Sequence, residues 1–164
     1  MQLRKYQTDT ISKTADSLRN RKQAPLVVLP TGAGKTVIFS EIAKRAVQKN
    51  NNVLILVHRR ELIKQASKKL ADIKVPHGII AAGFKSSSHQ IQIASVQTIV
   101  RRLQKLDWKP ALIIIDEAHH SVAGSWKKIL DHFPNAKRIG VTATPCRLSG
   151  QGLRVMFDDL ILGP

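Results

Sequence analysis

Short apolar runs recur along the chain: Leu26 to Leu29, Val53 to Val57, Ile91 to Ala94, Ala111 to Ile115 and Ile139 to Val141. None alternates inward and outward residues. Each is a brief continuous stretch, the pattern of a strand buried on both faces. The segments between them carry a helical period instead. Val37, Ile38, Ile42, Ala46 and Val47 fall on one helical face, as do Leu62, Ile63, Ala66, Leu70 and Ile73, and again Val96, Ile99, Val100 and Leu103. Residues 8 to 20 predict a further helix with Ile11, Thr14, Ala15 and Leu18 turned inward. Strand and helix repeated in this way predict an α/β domain, a mostly parallel sheet with helices on both faces.

Nothing divides the chain into smaller units: there is no internal repeat, low-complexity tract or long linker. Ser86-Ser87-Ser88 predicts an exposed loop, and the apolar ending Leu160-Ile-Leu-Gly-Pro164 reads as a domain, residues 1–164, whose natural chain continues. That length suits one domain with one large core. The apolar runs are far too short to span a bilayer, and no basic amphipathic helix stands out as a membrane anchor. The single Cys146 excludes an intrachain disulfide and cannot form a zinc site by itself. No signal peptide follows Met1, so a reducing, cytoplasmic compartment is expected. Charge changes the picture more. Against 11 Asp and Glu stand 27 Lys and Arg, for a net charge of +16. Such an excess costs self-repulsion and points to a polyanionic partner, with a merely basic soluble surface as the alternative.

Three segments carry candidate chemistry, each directly after a predicted strand. In Pro30-Thr-Gly-Ala-Gly-Lys-Thr36, backbone N–H groups of Thr31, Gly32, Ala33 and Gly34 can form an anion cradle at the following helix N-terminus. Gly32 and Gly34 allow close approach of phosphate oxygens; Lys35 adds a charge near the β- and γ-phosphates of ATP, and Thr36 offers a hydroxyl to Mg²⁺. Leu29 stands where the full phosphate-loop pattern has glycine. In Leu112-Ile-Ile-Ile-Asp-Glu-Ala-His119, an apolar strand ends in Asp116 and Glu117, at the sheet edge where open α/β folds bind ligands. Asp116 is then placed to hold Mg²⁺ and Glu117 to act as general base toward the attacking water. In Val141-Thr-Ala-Thr-Pro145, the hydroxyls of Thr142 and Thr144 could bond the acidic pair and transmit the state of the γ-phosphate. Taken singly, the acidic pair could be a solvated strand end and the threonines a plain turn.

In this order the segments resemble the motifs of superfamily 2 DEAD/DEAH-box helicases of the bacterial and prophage type. The phosphate loop resembles motif I, Asp116-Glu-Ala-His119 motif II and Thr142-Ala-Thr144 motif III. Val57-His-Arg-Arg-Glu-Leu-Ile-Lys-Gln65 resembles motif Ia, and Ala94-Ser-Val-Gln-Thr98 a later nucleic-acid-contacting motif. Leu3-Arg-Lys-Tyr-Gln7 is similar to the N-terminal adenine-recognising element. The resemblance covers essentially the whole chain. It implies a RecA-like P-loop NTPase fold, the first of two motor domains, with the second absent from this chain. It also implies that Gln7 contacts the adenine base and that His119 couples the nucleotide site to the nucleic acid.

The same resemblance implies that motif Ia and Ser-Val-Gln-Thr hold a strand by its sugar-phosphate backbone, DNA being favoured over RNA. Arg59, Arg60, Lys64, Ser95, Thr98, Arg101 and Arg102 are suitable groups. Phosphate contacts give affinity without sequence choice. Arg59 and Arg60 begin a predicted helix, where cations are disfavoured, so a phosphate would account for them. A solvated charged face is the alternative for each. His119 and His120 lack spaced partner ligands for zinc. The expectation is an ATP-dependent nucleic-acid motor, monomeric as a fragment. The alternatives are a duplex translocase subunit of restriction or remodelling type and an ATP-switched nucleic-acid-binding module.

Overall fold

The computed structural model describes residues 2–19, 24–30, 34–117, 124–143 and 159–162. Helix α1 (Lys5–Arg19) leads to strand β1 (Pro25–Val28), α2 (Lys35–Gln48), β2 (Val53–Val57) and α3 (Arg60–Asp72). Then come β3 (Gly78–Ile80), β4 (Ile91–Ser95), α4 (Val96–Arg102), a 3₁₀ turn (Leu103–Lys105), β5 (Leu112–Asp116), α5 (Gly124–His132), β6 (Lys137–Thr142) and β7 (Asp159–Leu162). Among the described residues the strands form one seven-stranded sheet in the order β3-β4-β2-β5-β6-β1-β7. Every described pairing is parallel, so all the strands end along the same edge.

Continuous apolar runs were the signal for strands covered on both sides, and burial bears this out. Val53, Ile55, Val57, Ile91, Ile93 and Ile114 join one core cluster with Ile11 of α1, Ile38, Phe39 and Ile42 of α2, and Ile63, Ala66 and Leu70 of α3. Their neighbours Leu54, Leu56, Ala94, Ile113 and Ile115 turn to the other face, against Val96 and Ile99 of α4 and Trp126, Ile129 and Leu130 of α5. The period-two geometry of a strand thus divides each run between two cores.

The five expected strands are present, with ends shifted by up to two residues. Helix α1 begins at Lys5 rather than residue 8. Two strands and one helix lie beyond the sequence reading. Strand β3 is only Gly78–Ile80, too short for a periodic signal, and β7 occupies the apolar ending. Helix α5 shows Trp126, Ile129 and Leu130 at helical spacing, a pattern of only nine residues. One expectation is corrected. A basic amphipathic helix does exist: α3 exposes Arg60, Lys64 and Lys68 opposite buried Ile63, Ala66 and Leu70. Its apolar face is spent on the core and is not available to a membrane. No helix among the described residues is long and apolar enough to cross one.

Candidate functional site

The centre of the site is built from residues more than eighty positions apart in sequence. Strand β1 ends at Val28, and Leu29 passes its backbone N–H to the carbonyl of Thr142 at 2.9 Å, tying the start of the loop to the end of β6. Leu29, standing at the position of a pattern glycine, is fully buried in the core formed with α1, α2 and α3. Gly34 lies just before α2 with φ 78, a left-handed conformation that favours glycine. A second demand acts at the same atom: a Cβ there would run into the Gln7 side-chain nitrogen. Gln7 is 5% exposed, and its Oε1 accepts the Arg4 N–H at 2.9 Å. Helix α1 therefore brings the expected adenine-recognising residue against the end of the phosphate loop.

Lys35, the first residue of α2, reaches across to the end of β5. Its Nζ lies 2.9 Å from Asp116 Oδ1 and donates to Glu117 Oε1 as well. The side chains of Lys35, Asp116 and Glu117 are 17%, 2% and 25% exposed, so the cluster is buried at its acidic root and open at its rim. Glu117 adopts φ 55, uncommon for any residue but glycine, and its N–H donates to Asp116 Oδ1 at 2.9 Å. Among the described residues the other non-glycine positions with positive φ, Asn50 and Lys74, follow helix ends, where this conformation is ordinary. At Glu117 it ends a strand instead, and turns the carboxylate back to Lys35. Such strain is retained where surrounding contacts over-determine it.

Burial draws the Lys35 ammonium downward, but Asp116 and Glu117 outweigh it and hold the group above its ordinary range. Asp116 is also displaced upward: its burial, helped by the Glu117 charge, exceeds the pull of Lys35. An acid in an ion pair would ordinarily move down. Desolvation beneath the sheet edge reverses the sign. Among the described residues no three His, Cys, Asp or Glu side chains could hold a metal alone.

The remaining candidates separate into two groups along the edge. Thr142 is fully buried at the end of β6, one residue beyond the partner of Asp116 in the register. Thr36 is half-buried beside Lys35. Arg59, Arg60, Lys64 and Arg101 are exposed, while Ser95, Thr98 and Arg102 are half-buried. Val57 of β2 lies opposite Ser95 of β4, so the motif Ia and Ser-Val-Gln-Thr segments leave the sheet side by side. With β3 beyond them, they occupy the half of the edge away from Lys35 and Asp116. Thr31, Gly32, Ala33, His119 and Thr144 lie outside the described residues. Sequence reading missed the direct pairing of Lys35 with both acids, and the contact of Arg60 with Phe84 at 5.3 Å.

Residues 1–147 match the family described as Type III restriction enzyme, res subunit. The chain belongs to that family. Membership agrees with the expected superfamily 2 helicase type, and the RecA-like fold recurs among solved structures. Over 97% of its length the chain is 40% identical to the "Putative ATP-dependent helicase IRC3" of Saccharomyces cerevisiae, covering 26% of that protein. It is 33% identical, over 87% of its length, to the Escherichia coli type I restriction enzyme EcoAI endonuclease subunit, covering 19% of it. The UvsW helicase of bacteriophage T4 superposes with a TM-score of 0.81 at 19% identity, over 99% of this chain and 60% of that one. This res-family chain thus spans about a quarter or less of the curated relatives described here. ATP use belongs to the helicase relatives by name.

Proposed function

We propose that residues 1–164 form the first, nucleotide-binding motor domain of a DNA helicase or translocase, working with a second RecA-like domain. The observation that carries the proposal is the convergence of Lys35, Asp116 and Glu117 at one end of a parallel sheet, beside Gly34 and Gln7. Open parallel sheets bind ligands at this edge, and the α2 N-terminus adds its partial positive charge. In this reading Thr31, Gly32, Ala33, Gly34, Lys35 and Thr36 bind the ATP phosphates, and Gln7 reads the base. Lys35 exchanges its carboxylate partners for phosphate oxygens. Thr36 and Asp116 would hold Mg²⁺, an ion that supplies charge compensation to the phosphates. Freed from Lys35, Glu117 orients and deprotonates the attacking water. Thr142, Thr144 and His119 pass the state of the γ-phosphate toward the nucleic acid.

The DNA reading is supported by the net charge of +16 and by Arg59, Arg60, Lys64, Ser95, Thr98 and Arg101 emerging together from β2 and β4. We infer a monomer acting in the cytoplasm. Movement on duplex DNA without strand separation is the second reading, favoured by the identity to a type I restriction subunit. The test is steady-state ATPase of this chain and of a longer chain that includes the second domain, each with and without DNA. An arginine supplied from outside typically contributes on the order of 10³–10⁵ in rate to phosphoryl transfer. Slow turnover by this chain and rapid, DNA-stimulated turnover by the longer one are expected. Equal stimulated rates would show that the shorter chain is already a complete enzyme.

A further inference from the structure

The side chain that begins α3 is held from outside its own helix. The Arg60 guanidinium lies 5.3 Å from the centroid of the Phe84 ring, within cation–π range. Its Nη1 also donates a long hydrogen bond of 3.4 Å to the Ala82 carbonyl. Both partners belong to the turn that follows β3, closed by the Phe84 N–H donating to the Ala81 carbonyl at 3.2 Å. Gly83, at the third position of that turn, has φ +84, and a Cβ there would sit 3.3 Å from Arg60 Nη2. Glycine is called for there by the positive φ, and the turn it closes meets the guanidinium twice, through the ring below it and the carbonyl that takes one N–H.

The position of the cation works against helix stability. A cation at the first residue of a helix opposes the helix dipole, and Arg60 is exposed. Lys64 and Lys68 continue the same face, so like charges repel along it. Nor is Arg60 neutralised by an acid: among the described residues the ion pairs involve Asp16, Glu41, Asp116 and Glu117, none of them on α3. A guanidinium that lies over a ring and gives one N–H to a carbonyl keeps its other donors, the fork that matches a phosphate.

We propose that Phe84, with the Ala82–Gly83 turn, is a positioning residue that pre-orients the Arg60 guanidinium for a DNA phosphate. The proposal rests on the reading of this half of the sheet edge as the DNA-facing side. Phe84 also packs on the α1–α3 core, so substitutions must separate ring chemistry from packing. Phe84→Leu and Phe84→Met keep apolar bulk and remove the ring, Phe84→Tyr keeps the ring, and Arg60→Ala removes the cation. Each variant and the Arg60→Ala/Phe84→Leu double variant are titrated into fluorescently labelled single-stranded DNA, with melting temperature and ATP affinity measured alongside. Phe84→Leu and Phe84→Met should lose about 2–5-fold in DNA affinity, the scale of an exposed cation–π contact. Phe84→Tyr should bind like the parent chain, and Phe84→Leu should add nothing once Arg60 is alanine. Parental affinity in Phe84→Leu and Phe84→Met, with Arg60→Ala weakened, would overturn the positioning role and leave the DNA-facing edge intact. Parental affinity in Arg60→Ala as well would overturn both.

Discussion

Replacing Lys35 by alanine should destabilise the fold itself, separately from any effect on nucleotide. The substitution strips the cation from Asp116, whose side chain is 2% exposed, and leaves Glu117 as its neighbour. Removing one member of a buried ion pair typically costs about 3–5 kcal/mol. Two features reduce that figure. Glu117 is 25% exposed and can turn to water, and Asp116, already displaced upward, can take a proton. About 1–3 kcal/mol remains, which for a domain of this length lowers the melting temperature by roughly 2–12 °C. Scanning calorimetry in chelator, without nucleotide, measures it. Adding Asp116→Asn should recover most of the loss by removing the stranded charge. The sign of the pH dependence follows from the upward displacement of Asp116. The folded state binds its proton more tightly than the unfolded chain, so the deficit should shrink as pH falls from neutrality toward the ordinary carboxylate range. A Lys35→Ala chain that melts with the parent at neutral pH would refute the pairing.

Gly34→Ala should abolish nucleotide binding and lower stability by more than about 1 kcal/mol, because it combines an unfavourable φ with a collision at Gln7. A Gln7→Ala partner change should relieve only the collision, and thermal melts of the single and double variants would show it. DNA affinity should fall steeply with salt, with a log–log slope near −0.7 per phosphate contacted on a single strand. Arg59→Ala with Arg60→Ala should flatten that slope in an anisotropy titration; an unchanged slope would remove these residues from the interface.

Much of the fold was legible because a parallel sheet covered on both sides writes its strands as uninterrupted apolar runs. Val53–Val57 and Leu112–Asp116 are wholly buried, and their shortness and β-branched content mark them as strands rather than helix turns. Strand β3 was not legible. It is three residues long, and Gly78 lies in register with Gln92, whose side chain fills the space a Cβ on Gly78 would take, a tertiary fit with no local period. At the site, glycines and acids stand in sequence patterns tied to strand ends, so Lys35, Asp116 and Glu117 could be named. Their mutual pairing could not, since it depends on the positive φ of Glu117, a residue type that does not advertise that conformation. The Arg60–Phe84 contact joins segments with no shared pattern, and only the β3–β4–β2 order brings them together.

Calorimetric titration of ATP into the chain, with and without Mg²⁺, tests the central claim most directly when parent and Lys35→Ala are compared. Lys35→Arg, which keeps a cation near Asp116 and Glu117, controls for the loss of stability. The account predicts Mg²⁺-dependent binding by the parent and a sharp loss in both variants, since an arginine fork cannot take the place of a compact ammonium beneath the phosphates. ATP affinity unchanged in Lys35→Ala, at a temperature where that variant is folded, would contradict it.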